Sequence, residues 1–505
     1  MPGMPGVEAH AHHDATRPSA VVVGGGIAGL FSAWELARSG HEVTLLEATD
    51  TPGGCVAPVR AALPDGTELV LDAGAESFAV RTPAVRELVD ELGLSDAVVT
   101  PNPAGSWMYL PGLSGGPGDG SGRAVRSPRV GILGIPGDLD APEVAEALGP
   151  EVLGRARQDL ALPVDRWERA VRDGGPVTVG AVVRDRMGEG VLQALVAPVV
   201  AGVHSADPDT LDLRTVAPGL LEALVAEGSL SRAVAARRAA APPGALVASL
   251  RGGMNTLTAA LVEALRTAGA TVRTGVRATG LDRAGDGWTV TTRSQDGTDV
   301  TLSAGRVVVA TDGPTAWDLL SPVAGGALAA ADRPAEGAGV ALVTLVADAV
   351  GLDAAPRGTG LLVSPQVPTE VVGAKAMTHV TAKWDWVRTA PHRHVLRLSY
   401  GRVTDAPDAA APGYGTGDQE LLARAVADAT ALTGVDLAGA VVHSFVVRWR
   451  SALPAATTGH RAAVHTVRDW LAGQSGLDAV GAWLAGTGLA AVVGDVRRRI
   501  GADET

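Results

Sequence analysis

A glycine-rich turn near the amino terminus constrains the fold of this 505-residue chain more than any other feature of its sequence. The stretch GGGIAG places Gly24, Gly26 and Gly29 after an apolar strand predicted over 20–23 and at the start of a helix predicted over 30–39. Gly24 permits a tight turn, Gly26 lets the backbone approach a pyrophosphate, and Gly29 lets the helix and the strand pack closely. The pattern predicts a dinucleotide-binding βαβ unit that holds phosphates at the N-terminus of its helix.

An acidic residue at the end of the next predicted strand narrows the choice of dinucleotide. Glu47 lies eighteen residues after Gly29, where its carboxylate can accept hydrogen bonds from an adenosine ribose and repel the extra phosphate of NADP. Gly53 and Gly54 follow, and then the segment LDAGAESF over 71–78. A second close approach of the backbone favours FAD over NAD, because FAD is the longer cofactor. The purely structural alternative is a glycine-rich turn with a solvent-facing Glu47.

Length and composition predict a folded protein with more than one hydrophobic core. The chain exceeds the ~250 to 300 residues at which single cores stop growing, so we expect two or three subdomains. Hydrophobic residues at 46% and charged residues at 19% are typical of globular proteins rather than disordered chains. The net charge of -13 argues against a general binder of nucleic acids or anionic membranes, since either needs a basic face.

Cysteine content and apolar runs bear on the cellular compartment. Cys55 is the only cysteine, which excludes a disulfide framework and favours the reducing cytoplasm. The longest uncharged apolar run, 191–203, is shorter than the ~20 residues of a membrane span and contains Pro198, so no transmembrane segment is predicted, although peripheral membrane contact stays open. The leader over 1–18 is expected to be disordered, and its histidines to be solvated rather than to form a metal site.

Further along the chain, a set of motifs spread over most of its length carries a resemblance to a known family. The motifs are AGAESFAVRTP, PVTVGAVVRDRMG, LVAPVVAGVHSADPDTLDLRT, SLRGGMNTL, HVLRLSYGR, VVRWRSALP followed by GH, and the terminal GTGLAAVV. Together with the glycine turn they resemble the flavin amine oxidase superfamily, and more closely the protoporphyrinogen and coproporphyrinogen oxidases. The sequence departs from that pattern at Cys55, over 453–460, and at Asp495 after Gly494.

The resemblance implies an α/β protein, α+β overall, in which a Rossmann-like FAD-binding domain adjoins a mixed-sheet substrate domain and a helical subdomain. The FAD-binding domain is expected to be discontinuous, because strand and helix patterns typical of it recur after residue 248. The mostly helical subdomain, over 101–204, contains a glycine-rich loop over 112–124. The implied boundaries are 19–80, 248–312 and 472–505 for the FAD-binding domain, and 81–100, 205–247 and 313–471 for the substrate domain.

The resemblance also implies which residues contact the cofactor and the substrate. Val276 is expected to give backbone contacts to adenine, Trp449 to contact the flavin, and Arg81 to lie at the cavity mouth, where its planar guanidinium suits a substrate carboxylate. Trp384 is left open between the cavity and the core. The expected cofactor-binding residues are Gly24, Gly26, Ile27, Ala28, Gly29, Glu47, Gly53, Gly54, Gly74, Ala75, Val276, Trp449, Gly486, Thr487, Gly488 and Leu489.

The last four of these open a final helix, whose positive end by resemblance points at the isoalloxazine ring and favours the negative charge of reduced flavin. The implied reaction is the six-electron oxidation of coproporphyrinogen III, a tetrapyrrole, to coproporphyrin III in haem biosynthesis. Oxygen is the expected acceptor and hydrogen peroxide the expected by-product, and delivery of the product to a ferrochelatase is left open. No general base is assigned, because the chemistry belongs to the flavin.

Three alternatives to this function remain at the level of sequence. A protoporphyrinogen IX oxidase would share nearly every motif. An amine oxidase or carotenoid desaturase shares the fold, but amine oxidation favours an aromatic cage and a lysine beside the flavin, and only Lys375 and Lys383 occur. A non-catalytic porphyrin or haem carrier that retains FAD is the alternative of a different class, and only the departures at Cys55 and over 453–460 favour it.

Overall fold

A computed structural model of the chain describes residues 17–112, 122–240, 247–329, 331–337, 339–402, 411–450 and 457–501. Most of the leader predicted over 1–18, most of the glycine-rich loop predicted over 112–124, and residues 453–456 lie outside the described residues.

The described residues form strands and helices that alternate along much of the chain. The strands are β1 (Ser19–Val23), β2 (Glu42–Leu46), β3 (Pro58–Ala62), β4 (Glu68–Asp72), β5 (Phe78–Ala79), β6 (Val98–Val99), β7 (Trp107–Pro111), β8 (Gly122–Arg126), β9 (Gly131–Ile132), β10 (Ile135–Pro136), β11 (Val247–Leu250), β12 (Thr271–Arg273), β13 (Val276–Ala284), β14 (Gly287–Ser294), β15 (Asp299–Ala304), β16 (Arg306–Val309), β17 (Val340–Asp348), β18 (Gly360–Val363), β19 (Ala376–His379), β20 (Arg393–Tyr400), β21 (Val441–Trp449) and β22 (Leu477–Ala479). The helices are α1 (Ile27–Arg38), α2 (Ala84–Glu91), α3 (Pro142–Ala156), α4 (Asp165–Asp173), α5 (Val179–Met187), α6 (Glu189–Val191), α7 (Ala197–Val199), α8 (Leu213–Val216), α9 (Leu220–Glu227), α10 (Leu230–Ala239), α11 (Asn255–Thr267), α12 (Gly313–Ala324), α13 (Val380–Lys383), α14 (Asp418–Thr433), α15 (Thr458–Ala472), α16 (Ala482–Ala485) and α17 (Leu489–Ile500).

A five-stranded parallel sheet gathers strands from three distant segments of the chain. Its strand order is β12, β2, β1, β16 and β22, and every neighbouring pair is parallel. The central strand β1 is buried along nearly its whole length, as expected where helices cover both faces of a parallel sheet. The predicted α/β fold with a Rossmann-like sheet is confirmed, and β1 ends where the glycine turn begins.

A seven-stranded mixed sheet forms the second layer of the structure. Its order is β21, β17, β20, β19, β18, β7 and β8, in which only the β18–β7 pair is parallel. One face packs against α14 through a core that includes Leu345, Leu396 and Leu398. Side chains on adjacent strands that share the other face include Thr344, which is paired in register with Arg397 on β20. This face carries Arg397, whose guanidinium donates to the carbonyl oxygen of Asp72 and to the carboxylate of Glu76.

The helices from α3 to α10, apart from the short α7, share one hydrophobic core, which also receives side chains from β7 and β8. The apolar run predicted as helical contains two π-helical turns, Leu192–Val196 and Val200–His204, on either side of Pro198. Proline lacks an N–H and crowds the carbonyl of the preceding turn, and a widened turn accommodates both effects. No described helix has the length and apolarity needed to cross a membrane. The boundaries of the three domains stay a prediction.

One fully buried ion pair holds this helical region together. Arg186 on α5 donates from Nε to Asp159 Oδ1 at 2.7 Å, and both side chains are completely buried. The other guanidinium nitrogens donate to the carbonyl oxygens of Leu162, Pro163 and Gly228. Because the guanidinium is bonded to several chain segments at once, the ion pair fixes the arrangement of the helices that surround it.

We expect Arg186→Met to lower the free energy of unfolding by about 3 to 5 kcal/mol, because it leaves a buried carboxylate without its counter-ion. Arg184→Met is the matched control. Arg184 lies two residues away and pairs with Glu189 and Asp209 at the surface, so its loss should cost less than about 1 kcal/mol. Urea unfolding of the two variants checks the difference, and equal effects would contradict this account of the buried pair.

Candidate functional site

The glycine turn adopts a geometry that only glycine satisfies at two positions. Gly24 has φ of 105°, and a Cβ there would lie 2.7 Å from the carbonyl oxygen of Ala310. A Cβ on Gly29 would overlap the carbonyl oxygen of Gly24, so α1 can approach β1 only without a side chain at this position. Gly26, the N-cap of α1, differs, because nothing lies within 4 Å of the place a Cβ would take. The space beside Gly26 is therefore open.

Glu47 is bound to the glycine turn rather than facing solvent. Its Oε2 accepts a hydrogen bond from the backbone N–H of Gly25 at 2.8 Å, and its Oε1 accepts from the N–H and the hydroxyl of Thr49 at 2.7 Å. A carboxylate has about four lone-pair sites, so this arrangement leaves capacity for a further donor. The sequence analysis did not predict that Gly25 binds Glu47. The signal was that Gly25 is a glycine at a position where the motif accepts any residue.

The second glycine pair lies directly against the first turn. Gly53 donates its N–H to the carbonyl of Gly25 at 2.7 Å and forms a parallel bridge with Gly26. A Cβ on Gly54 would lie 3.3 Å from the Cα of Gly26. Gly53 and Gly54 have φ of 124° and 56°, which favour glycine. The structure thus brings the two predicted glycine elements together.

Residues 72–76 form a backbone segment, called here the 72–76 strip, along the next wall of the site. Ala75 donates its N–H to the carbonyl of Cys55 at 2.9 Å, and a Cβ on Gly74 would lie 2.7 Å from that same oxygen. The indole N–H of Trp449 donates to the carbonyl of Ala73 at 2.9 Å. The strip therefore joins the loop after the second glycine pair to the end of β21.

The remaining predicted residues belong to β13 and to the segment that opens α17. Val276, at the start of β13, donates its N–H to the carbonyl of Glu47 at 2.9 Å. Gly486 and Gly488 have φ of 94° and 106°, and the space beside each is open. Thr487 lies between them, and Leu489 begins α17, packing in the same core as Ile27, Ala28 and Val56.

The departures from the family pattern have ordinary structural explanations where they are described. Asp495 is buried on α17, and Arg468 bonds it at 2.5 Å while Arg499 lies 3.3 Å away, so its charge is compensated. Part of Cys55 is exposed, while burial of its thiol raises the pKa of that group. Within 457–460, Thr457 caps α15 by accepting the N–H of His460 at 3.2 Å.

Arg81 follows β5 and is exposed, and no described residue forms an ion pair or hydrogen bond with it. Within the described part of the chain, Arg81 therefore takes part in no surface salt bridge, and its place at the cavity mouth stays a prediction.

A group of three charged residues, one at the end of the strip and two beside it, was not predicted from the sequence. Glu76 accepts from Lys383 Nζ at 2.6 Å and from Arg397 at 2.7 Å. Burial acts to raise the pKa of Glu76, but the charges of Arg397 and Lys383 outweigh it and lower that pKa below its ordinary value. The scarcity of lysine was a signal, but no local pattern relates residues separated by 307 and 321 positions.

The fold and this geometry are those of a Rossmann-like α/β protein with a glycine-rich βαβ turn. The chain belongs to the family of flavin containing amine oxidoreductases, whose family model matches residues 27–493. It is 31% identical to the coproporphyrinogen III oxidase of Mycobacterium leprae, over 96% of this chain and 98% of that one. It is 29% identical to the coproporphyrinogen III oxidase of Propionibacterium freudenreichii, over 96% and 90%.

A solved structure supports the same assignment at the level of fold. The crystal structure of a candidate protoporphyrinogen oxidase from Exiguobacterium sp. 255-15 covers 97% of this chain and 99% of its own, with a TM-score of 0.74 and 22% identity. The resemblance stated from the sequence is confirmed. The protein is a flavin-dependent oxidoreductase, and the open space beside Gly26, Gly486 and Gly488 is compatible with an extended cofactor.

Two glycine substitutions separate ligand approach from packing. We expect Gly26→Ala to fold normally, because its Cβ meets no atom, yet to retain clearly less flavin, because the methyl group would fill space that we expect the cofactor to use. Gly29→Ala should lower the stability of the protein itself, since its Cβ overlaps the backbone. Visible absorbance after purification and thermal unfolding of the cofactor-free proteins check these effects. Full flavin content in the Gly26 variant would show that the cofactor does not approach this turn.

Proposed function

We propose that this protein catalyses the FAD-dependent six-electron oxidation of coproporphyrinogen III to coproporphyrin III in the cytoplasm. Oxygen accepts the electrons and is reduced to hydrogen peroxide. The observation that carries the proposal is the similarity at about 30% identity, over nearly the whole chain, to proteins named coproporphyrinogen III oxidase. The contiguous wall formed by the glycine turn, the second glycine pair and the 72–76 strip supports an extended FAD rather than a shorter cofactor.

In this proposal the chain holds FAD along that wall. The N-terminus of α1, at Gly26, Ile27 and Ala28, binds the pyrophosphate, because the first N–H groups of a helix lack intrahelical partners. Glu47 accepts from the ribose, and the backbone of Val276 contacts the adenine. When bound, FAD accepts hydride from a saturated carbon bridge of the substrate.

The flavin end of the site is completed by three further elements. Gly53, Gly54, Gly74 and Ala75 let the backbone approach the ribityl chain and the ring closely. Trp449, held by the carbonyl of Ala73, lies against the same strip. The N-terminus of α17, opened by Gly486 to Leu489, would supply a positive helix end to stabilise the negative charge that the reduced ring carries. The residues bind, orient and exclude water, and none is assigned as a general base.

The acidic chain must hold a substrate with several carboxylates through local cations. Arg81 suits this task, because it is exposed, lies five residues beyond Glu76, and has no partner among the described residues. Its fork can donate to both oxygens of one carboxylate.

Amine oxidation is less well supported. Lys375 is 1% exposed and donates to the hydroxyl of Ser205 and the carbonyl of Gly401, and Lys383 is paired with Glu76. Both lysines of the chain are thus engaged in bonds within the protein. Neither is assigned to hold a water beside the flavin, as amine oxidation would require. Transfer of product to a ferrochelatase remains part of the proposal without a surface assigned to it.

Anaerobic mixing of the purified flavoprotein with candidate substrates tests the function. Coproporphyrinogen III should bleach the flavin absorbance, whereas protoporphyrinogen IX should do so more slowly and a polyamine should not. Readmission of oxygen should restore the absorbance and produce hydrogen peroxide. Faster bleaching by protoporphyrinogen IX or by the polyamine would assign the protein to the corresponding oxidase, and binding without bleaching would assign it as a carrier.

Replacing Arg81 by Ala should raise KM for coproporphyrinogen III roughly tenfold, because a charge-assisted hydrogen bond to a carboxylate is lost. Flavin content should not change, since Arg81 does not lie on the cofactor wall. Arg86→Ala is the control, because Arg86 is exposed on α2 and, among the residues that the structure describes, pairs only with Asp90. Steady-state kinetics check the pair, and equal KM values in the two variants would remove Arg81 from the substrate site.

A further inference from the structure

Arg397 ties the two ends of the 72–76 strip to the mixed sheet. This arginine, on β20, donates from Nη1 to the carbonyl oxygen of Asp72 at 3.2 Å and from Nη2 to Oε2 of Glu76 at 2.7 Å. Lys383, the last residue of α13, donates to Oε1 of Glu76 at 2.6 Å. Charged side chains of both signs therefore meet at the strip. We call Asp72, Glu76, Lys383 and Arg397 the charge group.

The middle of the strip is fixed by close contacts. A Cβ on Gly74 would lie 2.7 Å from the carbonyl oxygen of Cys55 and 3.3 Å from the indole nitrogen of Trp449. Consecutive Cα atoms are about 3.8 Å apart, so the side chain of Glu76 begins directly beside Ala75. The carboxylate of Glu76 therefore lies within the Debye length, about 8 Å at physiological salt, of the backbone proposed to meet the flavin.

The charges within the group balance. The carboxylates of Asp72 and Glu76 are matched by the cations of Lys383 and Arg397. Burial raises the pKa of Asp72, while N–H donors at the start of α11 favour its ionised form. Glu76 lies between the two cations and accepts from both. Replacing one member by a neutral residue therefore leaves a net charge whose sign depends on the member that is removed.

The group is largely withdrawn from water, so its charges are weakly screened. The exposed fraction of the side chain is 14% for Glu76, 18% for Lys383 and 14% for Arg397. A unit charge acts over longer distances in surroundings of low dielectric constant than in water. It also exceeds the charge of roughly 0.5 at a helix end such as the N-terminus of α17. A net charge on the group would therefore change the stability of a negatively charged reduced flavin nearby.

We propose that the charge group sets the reduction potential of the bound flavin. Lys383 and Arg397 stabilise the negative charge that reduced flavin carries, and Glu76 limits this effect, so that reduced flavin remains a good electron donor to oxygen. The inference rests on the proposed function, because it takes FAD to lie along the strip. These residues position charge beside the cofactor and are assigned no contact with the substrate, so their role is read from a potential.

Reduction potentials of the flavin-loaded proteins test the inference without any porphyrinogen. Xanthine and xanthine oxidase reduce the flavin slowly in the absence of oxygen, and a reference dye of known potential reports the equilibrium. Glu76→Gln should raise the equilibrium constant for two-electron reduction about tenfold, which corresponds to about 30 mV. Lys383→Gln should lower it by a similar factor, since it removes the opposite charge. A purely structural effect would move both variants in the same direction.

A charge-preserving variant keeps the test decisive if Glu76→Gln folds poorly. Lys383→Arg retains the positive charge, so its equilibrium constant should stay within about twofold of the wild type while that of Lys383→Gln falls. The control is Arg393→Gln. Arg393 lies on the same strand, about 13 Å before the arginine of the charge group, and pairs with Asp348 and Asp65. Its loss should leave the potential of the flavin unchanged.

Shifts of the same sign in Glu76→Gln and Lys383→Gln would overturn the inference. Unchanged potentials in both, or an equal shift in Arg393→Gln, would overturn it as well. Failure of the proposed function looks different, because porphyrinogens then fail to bleach the flavin while the opposite shifts in potential still support the charge group. A protein that takes up no flavin would overturn both.

Discussion

The close approach of α1 to β1 is the constraint on which the rest of the site depends. Gly29 allows the helix to meet the carbonyl of Gly24, and Gly24 in turn meets the backbone after β16. This contact sets the position of the turn between them, so that Gly25 can bond both Glu47 and Gly53. A side chain at Gly29 would push the helix away and separate these partners, because protein interiors have little free volume to absorb the displacement. One missing methyl group thus aligns elements from three parts of the chain.

The 72–76 strip extends that arrangement from the nucleotide side to the substrate side. Its backbone is bonded to Cys55 on one edge and to Trp449 on the other, while its flanking carboxylates bind α11 and the Lys383–Arg397 pair. Small residues in the middle of the strip allow close approach, and charged residues at its ends anchor it to separate layers. A displacement of the mixed sheet would therefore be transmitted to the backbone that we propose faces the flavin.

Local patterns in the sequence were sufficient to predict those structural elements whose contacts are made between residues close together in the chain. Glycine spacing, an acid at a strand end and apolar periodicity predicted β1, α1, β2 and the residues around them, because each depends on neighbours within one βαβ unit. The site residues that lie far from this unit in the sequence were predicted from the resemblance to the family. Sequence periodicity cannot distinguish π-helical from α-helical turns, so the widened turns around Pro198 were not predicted. It also cannot pair Glu76 with Arg397, because strand register in the mixed sheet decides that contact.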